Sequence, residues 1–484
     1  MRSTLDRFFE ISRRGSTLSA EIRGGLATFF TMAYILAVNP NILGHGDASG
    51  HYLTGQLVPK VAGGASVPLT AETAKIAAST ALVALATTLL MGIVGRVPIA
   101  LAAGLGVNAI VAFQLAPRMS WPAAMGIVVI QGVGITVLVL TGVRRMIFDA
   151  VPAALKHAIT CGIGLFIAFI GFVDAGFAQR TPNPGGPPVQ LGPTGNLLGW
   201  PVVVFVIGLL AIGILMARRV KGAILIGIIA TTVVAMIINK AADVPAAAWG
   251  GAIPAWPKKV VAAPDFGLLG HFSIGGAFHQ VGVITVIVFA FTIMLSDFFD
   301  AMGTMHGVSE QAGILDEHDQ VPRADAVLLV DSVASFGGGL AASSSATCYI
   351  ESAAGVGEGA KTGFASVVTA LCFGLALFVT PLVGVIPSQA TAPALVIVGL
   401  MMMSQVRHIS FDDFAIALPA FLTMVVMPFT YSITDGIGAG FVAYAVLQAA
   451  SGKAREVKPL MWITAFVFLV YFAIEPVKSW LGVG

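Results

Sequence analysis

Charge is scarce in this chain. Only 10% of its 484 residues are Asp, Glu, Lys or Arg, against about 25% in a soluble globular domain. With 57% hydrophobic residues and a mean hydropathy of +0.91, that shortage excludes a soluble fold and implies a polytopic membrane protein. Cysteine is scarce too. Cys161, Cys348 and Cys372 all sit in apolar segments and form no CxxC pair, which argues against a disulfide framework or a metal site. There is no basic run, and a net charge of +2 offers no nucleic-acid surface. The opening MRSTLDRFFEISRRGSTLSAEIRGG lacks the short apolar core and small-residue cleavage site of a signal peptide. Residues 1–23 read instead as a cytoplasmic amphipathic lead-in, with Phe8, Phe9 and Ile11 near the interface. No loop is large enough to be a soluble enzyme domain, and no catalytic triad or metal cluster stands out. No enzymatic activity, catalytic residue, cofactor or metal is expected.

What the chain does have is a series of apolar stretches near the roughly 20 residues a membrane helix needs. Spans 1–7 are expected at about 24–43, 73–94, 99–115, 122–142, 147–173, 198–217 and 221–239. Spans 8–14 are expected at about 279–303, 324–342, 346–359, 362–385, 387–406, 412–430 and 433–452. A last apolar segment, 459–480, holds Glu475 and Pro476 and reads as a further span or an interfacial helix. If odd spans leave the cytoplasm, most of the basic residues fall inside, among them Arg13, Arg14, Arg96, Arg144, Arg145, Arg218, Arg219, Lys453 and Arg455. The opposite orientation would violate the positive-inside rule, so the N-terminus is expected in the cytoplasm. The outer loops 44–69, 176–196 and 241–277 hold much of the Pro and Gly, with TPNPGGPP (Thr181–Pro188) rich in turn residues. The inner loop Met305–Arg323 is acidic and expected to be ordered.

The two halves resemble each other. Val151-Pro152 is followed twelve residues on by Gly164, and Ile386-Pro387 twelve residues on by Gly399. Each pair stands where the fifth span of a seven-span half begins. An odd number of spans per half makes the second half inverted, and inverted repeats place a binding site near the midplane at discontinuous helices. Span 3 (PIALAAGLGVNAIVAF) and span 10 (SSSATCYIESAAGVGEG) are the corresponding segments. Both are short and rich in small residues, and each suits an extended stretch followed by a half-helix whose first N–H groups are free donors. Such backbone is tolerable at membrane depth only where it lines a cavity.

One stretch, Leu295–Thr362, carries Asp297, Asp300, Asp331 and Glu351 beside a Gly/Ser/Thr-rich run, Gly337–Thr347, where a helix is hard to sustain. A carboxylate in such a segment costs about 2.5–3.5 kcal/mol on insertion scales and is functional by default. Asp297 and Asp300 are three apart and share a helix face. With Glu351 they form an acidic set able to accept ring N–H groups and to load a proton. The competing reading is a solvated helix end, marked by Gly303 and His306. Asn108 in span 3 offers both donors and acceptors and suits a purine edge; its alternative is an interhelical hydrogen bond. Asp331 is either a second proton carrier or a brace that caps a backbone N–H. Phe298 and Phe113 are the aromatics placed to stack on a planar ligand, His157 reads as interfacial, and Glu358 and Asp325 read as solvated at the surface.

GGLATFFTMAYILAVNPNIL, GLGVNA, DFFDAMGT, VSEQAGILDEHDQVPRADAVLLVDS and SSSATCYIESAAGVGEGAKTG resemble the AzgA-type purine permeases of the nucleobase–cation symporter (nucleobase/ascorbate transporter) superfamily. The likeness runs over nearly the whole chain. It implies an all-α polytopic membrane protein of fourteen spans in two inverted repeats, with short strands in spans 3 and 10. It further implies a core (transport) domain of spans 1–4 and 8–11, residues 24–142 and 279–385. A gate domain of spans 5–7 and 12–14 would take residues 143–278 and 386–458, leaving a C-terminal apolar segment at 459–484. By motif, Asn108, Asp297 and Glu351 are similar to the family's binding residues, Asp300 to a nearby tuning acid, and Gly106 to the span-3 backbone position. Asp297 and Asp331 are the residues expected to carry protons. The family takes up hypoxanthine, guanine or adenine with protons across the cell membrane, by an elevator-like movement of core against gate, often as a homodimer through the gate. The alternatives are a xanthine or uracil carrier, or a small-anion carrier of the same fold; the second should lack carboxylates at its site.

Overall fold

The computed structural model describes residues 4–58, 70–141, 150–181, 187–192, 195–249, 253–257, 259–316 and 321–481. Without water to bond it, membrane backbone must satisfy itself, and the apolar stretches do so as helices. Among the described residues ten are long and apolar enough to cross a bilayer: Leu18–Leu43, Thr73–Gly95, Trp121–Thr141, Ala153–Asp174, Trp200–Ala217, Ala223–Ala241, Val283–Ala312, Gly363–Val385, Ser388–His408 and Ile433–Ala450. They correspond to spans 1, 2, 4–8, 11, 12 and 14. The other four spans are shorter or broken. Span 9 is Ala324–Leu340 and span 13 is Phe414–Thr430. Span 3 is a strand, Leu101–Ala103, then a helix from Leu105. Span 10 is a strand, Ala346–Cys348, then a helix, Ser352–Val356. The chain is thus an all-α polytopic membrane protein of fourteen spans, with its only long-range strand pairing among the described residues inside the bundle. The last segment is a helix, Pro459–Leu481, whose Phe468 packs edge-on against Phe441 of span 14 at 6.0 Å.

Several expected boundaries move. Span 1 begins at Leu18, where Thr17 caps by accepting from the Ala20 N–H, and it is interrupted at Ala33–Tyr34 before resuming at Ile35–Leu43. Its early start buries Glu21, which accepts from the backbone N–H groups of Lys361 (2.8 Å) and Ala365 (3.2 Å) and so caps span 11. The lead-in is docked on the bundle. Phe9 and Ile11 are buried, Phe9 packs on Phe364 at 5.5 Å, and Arg14 donates to the carbonyls of Arg96 and Lys361. Span 8 runs to Ala312 and stops at Gly313, whose φ of +63° is the left-handed turn a helix end favours. Gly303 and His306 therefore do not end the helix, and Asp300 is interior to it. Span 9 also persists through part of the run expected to resist helix. There Gly339 sets the packing: a Cβ would lie 3.0 Å from the Val129 backbone N, so its absence lets span 9 press against span 4. Arg144, Arg145, most of Thr181–Pro188 and part of the 44–69 loop lie outside the described residues.

Two sets of spans pack among themselves. Span 5 lies along spans 12 and 13, span 6 against spans 7 and 12, and span 13 against span 14. Separately, span 4 packs on spans 8 and 9, and span 11 on spans 1 and 2. Asn41 donates to Thr391 (2.9 Å) and Thr434 donates to Gln114 (3.1 Å) across the sets, which an ion pair of Lys221 with Glu358 also bridges. Pro152 and Pro387 each sit in extended conformation immediately before their helix, at Ala153 and Ser388. Gly164 and Gly399 then face each other where spans 5 and 12 cross: a Cβ on Gly164 would stand 2.7 Å from the Gly399 carbonyl oxygen, and one on Gly399 would strike that of Gly164. Equivalent residues of two repeats that meet in this way lie on the axis relating them, as inverted repeats require.

Candidate functional site

The strands of spans 3 and 10 pair antiparallel, with Leu101 opposite Cys348, Ala102 opposite Thr347 and Ala103 opposite Ala346. Neighbours satisfy several of the remaining backbone groups. Thr88 Oγ1 both accepts from the Leu101 N–H and donates to its carbonyl, each at 2.9 Å. The Ala100 N–H reaches Ser352 Oγ at 3.0 Å, and the Tyr349 hydroxyl donates to the Ala103 carbonyl at 2.5 Å. Extended backbone survives inside the bundle because these polar groups have protein partners.

A cavity opens where the strands give way to half-helices. It is lined by Gly104, Gly106, Val107, Thr160, Ile163, Ser296, Asp297, Asp300, Thr347 and Met402. Gly106 keeps it open: a Cβ there would lie 3.0 Å from Ile163 Cγ2 and 3.4 Å from Ser296 Oγ.

Span 8 delivers Asp297 and Asp300 to this cavity together, as their spacing predicts. Asp297 is buried, and one oxygen takes three donors from three elements. Gln131 of span 4 donates to Oδ2 at 3.0 Å, Ser345 before the span-10 strand donates at 2.9 Å, and Ser335 of span 9 donates to the same atom. Oδ1 is buried with no partner among the described residues. A buried acceptor left open in an otherwise saturated shell points to a ligand or proton. Asp300 has no hydrogen bond among the described residues and lies within electrostatic reach of both Asp297 and Glu351.

Glu351 stands beside the cavity, at the start of the span-10 half-helix, where its Oε1 accepts the Tyr34 hydroxyl at 2.6 Å. Asn108 is fully buried and does not line the cavity. Its amide donates to Asn39 Oδ1 at 2.7 Å, and Asn39 donates in turn to Thr80 Oγ1 at 2.8 Å. The interhelical reading of Asn108 is therefore the one its hydrogen bond matches, while its Oδ1 has no partner among the described residues. Asp331 Oδ1 accepts the Cys348 backbone N–H at 3.2 Å and the Thr347 hydroxyl at 3.4 Å, the geometry of a brace on the span-10 strand.

The aromatics do not line the cavity. Phe298 packs on Phe299 at 5.4 Å, and Phe113 packs between His45 and Tyr431, at 5.7 Å from each. His157 stacks on His408 at 5.2 Å. Among the described residues no three His, Cys, Asp or Glu side chains gather as a metal site. Sequence reading missed Tyr34, Asn39, Gln131, Ser335, Ser345 and Glu21. The available signal was a lone amide in an apolar run, as in VVIQGVG and LAVNPN.

The comparisons with known proteins bear on what this site serves. Residues 19–439 match the profile described as the Permease family. The guanine/hypoxanthine permease PbuG of Bacillus subtilis is 38% identical over 472 residues, covering 96% of this chain and 98% of that protein. The adenine permease AdeP of Escherichia coli is 34% identical over 468 residues, covering 96% and 95%. Among solved structures, the transmembrane domain of a cyanobacterial bicarbonate transporter, BicA, matches with a TM-score of 0.61 at 11% identity, covering 87% of this chain and 97% of that one. The murine anion transporter Slc26a9 in its inward-facing state matches with a TM-score of 0.60 at 12% identity, covering 90% and 69%. Those two likenesses establish the inverted-repeat fold alone. The near-full-length match to the family and to its purine-carrying members shows that the chain belongs to the permease family and is a multi-pass carrier, not an enzyme.

Proposed function

We propose that this permease takes up purine nucleobases, hypoxanthine and guanine and also adenine, together with protons across the cell membrane. The observation that carries the reading is the open oxygen of Asp297 in a cavity between two half-helix starts, in a chain 34–38% identical to purine permeases. Asp297 Oδ1 accepts a ring N–H, Asp300 tunes its field, and Glu351 closes over a second edge of the base. Gly106 leaves room for the ring, and Asn108 holds span 3 in place through Asn39. Asp297 also carries the proton, and Asp331 fixes the strand against which the base lies.

The two packed sets of spans suit a core of spans 1–4 and 8–11 that shifts against a gate of spans 5–7 and 12–14, in an elevator-like step, with gate pairing to gate in a homodimer. An N-terminus in the cytoplasm follows from the basic inner loops. The anion transporters share the fold, but two carboxylates in the cavity disfavour an anion here. A xanthine or uracil carrier is the remaining alternative.

A competition panel tests the substrate class. Unlabelled hypoxanthine, guanine and adenine should suppress uptake of labelled hypoxanthine at micromolar excess, while uracil, xanthine and bicarbonate should not. Suppression by uracil or xanthine alone would move the reading to the alternative. Uptake should rise with an inward-acid gradient and collapse with a protonophore, and indifference to both would remove the proton.

The brace is tested separately. Asp331→Asn should keep hypoxanthine binding within about threefold, because an amide oxygen still accepts the Cys348 N–H. Asp331→Ala leaves that buried donor unpaired and should weaken binding about tenfold. Equal losses in both would mean that the charge, not the acceptor, is what matters at this position.

A further inference from the structure

We infer that Tyr34 is a positioning residue that aims Glu351 at the substrate, an inference that rests on the purine reading above. Tyr34 occupies the interruption in span 1. There the hydrogen bonds tighten: the Leu36 N–H reaches the Ala33 carbonyl at 3.1 Å, and the Ala37 N–H reaches the Tyr34 carbonyl at 3.0 Å. Each spans three residues instead of four, which rotates the second half of the helix relative to the first. The apolar segment runs on without a glycine or proline at that point, and Pro40 comes six residues later.

Tyr34 is 1% exposed. A phenol that deep needs a partner for its hydroxyl, and it has one in Glu351 Oε1 at 2.6 Å, the short distance of a charge-assisted bond. The same stretch of span 1 also touches residue 351 through its backbone, since the Thr31 hydroxyl lies 3.3 Å from the Glu351 carbonyl oxygen. A glutamate side chain has three torsions to fix, and a mobile one would lose affinity to ordering when substrate arrives. Span 1 removes part of that freedom beforehand, with a phenol on the carboxylate. Asp297 is fixed in the parallel way by Gln131, Ser335 and Ser345. Each acid thus has one oxygen committed to the protein.

Tyr34→Phe separates this role from packing, because it keeps the ring and deletes the donor. KM for hypoxanthine should rise about tenfold or more, the scale of a hydrogen bond to a charged group. Vmax per carrier at the surface should stay within about twofold, and the melting midpoint of the purified carrier should hold. Tyr34→His, which returns a ring donor, should recover part of the loss. With purified carrier and labelled hypoxanthine, adding Tyr34→Phe to Glu351→Gln should change residual binding by less than about twofold. A KM in Tyr34→Phe within twofold of wild type, or the same fractional loss with and without Glu351, would overturn the inference. So would a Tyr34→His variant no better than Tyr34→Phe. Absence of purine uptake by the wild-type carrier in the same vesicles would count against the proposed substrate instead.

Discussion

Asp297→Ala and Glu351→Ala should each abolish uptake of labelled hypoxanthine, by at least about 100-fold, while the carrier still reaches the membrane. The size follows from what each substitution strands. Asp297→Ala removes the acceptor for Gln131 and Ser345 at once, while Ser335 can turn to the Asp331 and Ala346 carbonyls, and each buried donor left unmatched costs about 1–3 kcal/mol. It also removes the buried Asp297 Oδ1, which has no partner among the described residues. About 3 kcal/mol of lost binding already exceeds 100-fold. Asp297→Asn should be nearly as damaging, because an amide cannot accept from all three donors with one oxygen and also present an acceptor to substrate. Glu351→Ala strands the Tyr34 hydroxyl and deletes the second acceptor. Surface labelling separates loss of transport from loss of protein. Wild-type-like uptake in both variants would sink the site assignment.

The second large effect lies away from the site. Gly164→Leu and Gly399→Leu should each prevent recovery of a folded carrier, costing at least about 4 kcal/mol by overpacking a contact that cannot yield. At Gly164 the first added carbon stands 2.7 Å from the Gly399 carbonyl oxygen and 2.8 Å from Met402 Cβ. At Gly399 it stands 2.8 Å from Ala168 Cβ and meets the Gly164 carbonyl. Both obstacles include backbone, so no rotamer change relieves them. Gly134 in span 4 is the control: nothing lies within 4 Å of a Cβ there, and Gly134→Leu should behave as wild type. Size-exclusion profiles and melting curves in detergent are the measurement. Normal melting in both substituted carriers would mean that spans 5 and 12 do not cross at these residues.

Much of this architecture was legible in the chain because bilayer thickness imposes one length on every span. Spans 3 and 10 stood out as broken because their small residues could not make a full-length helix. The paired Pro and Gly of spans 5 and 12 disclosed the repeat for a related reason: a two-fold axis forces equivalent residues into contact, and only glycine tolerates it. Tertiary packing hid the rest. Nothing in FFTMAYILAV signals that span 1 breaks at Tyr34. Gly303 looks like a helix end, yet span 8 continues, because propensity is a weak prior beside packing. Asn108 was legible as an amide able to donate and accept, but that it donates to Asn39, 69 residues away in sequence, was not. Gln131 is ambiguous alone, since an amide in an apolar run suits a helix crossing as well as a site.

The strand pairing also sets a clock on biosynthesis. The Ala103 carbonyl takes its donor from Tyr349, 246 positions further along the chain. At 5–20 residues per second a ribosome needs about 10–50 s to reach it. Until then the span-3 strand has N–H and C=O groups at membrane depth with no mate, which is costly in hydrocarbon. The first half therefore has to wait in the membrane with an incomplete interior, shielded by chaperone, translocon or neighbouring helices, and a chain that stops after span 7 retains that defect permanently. The cavity, lined by residues of both halves, comes into existence only as the second half closes the seam.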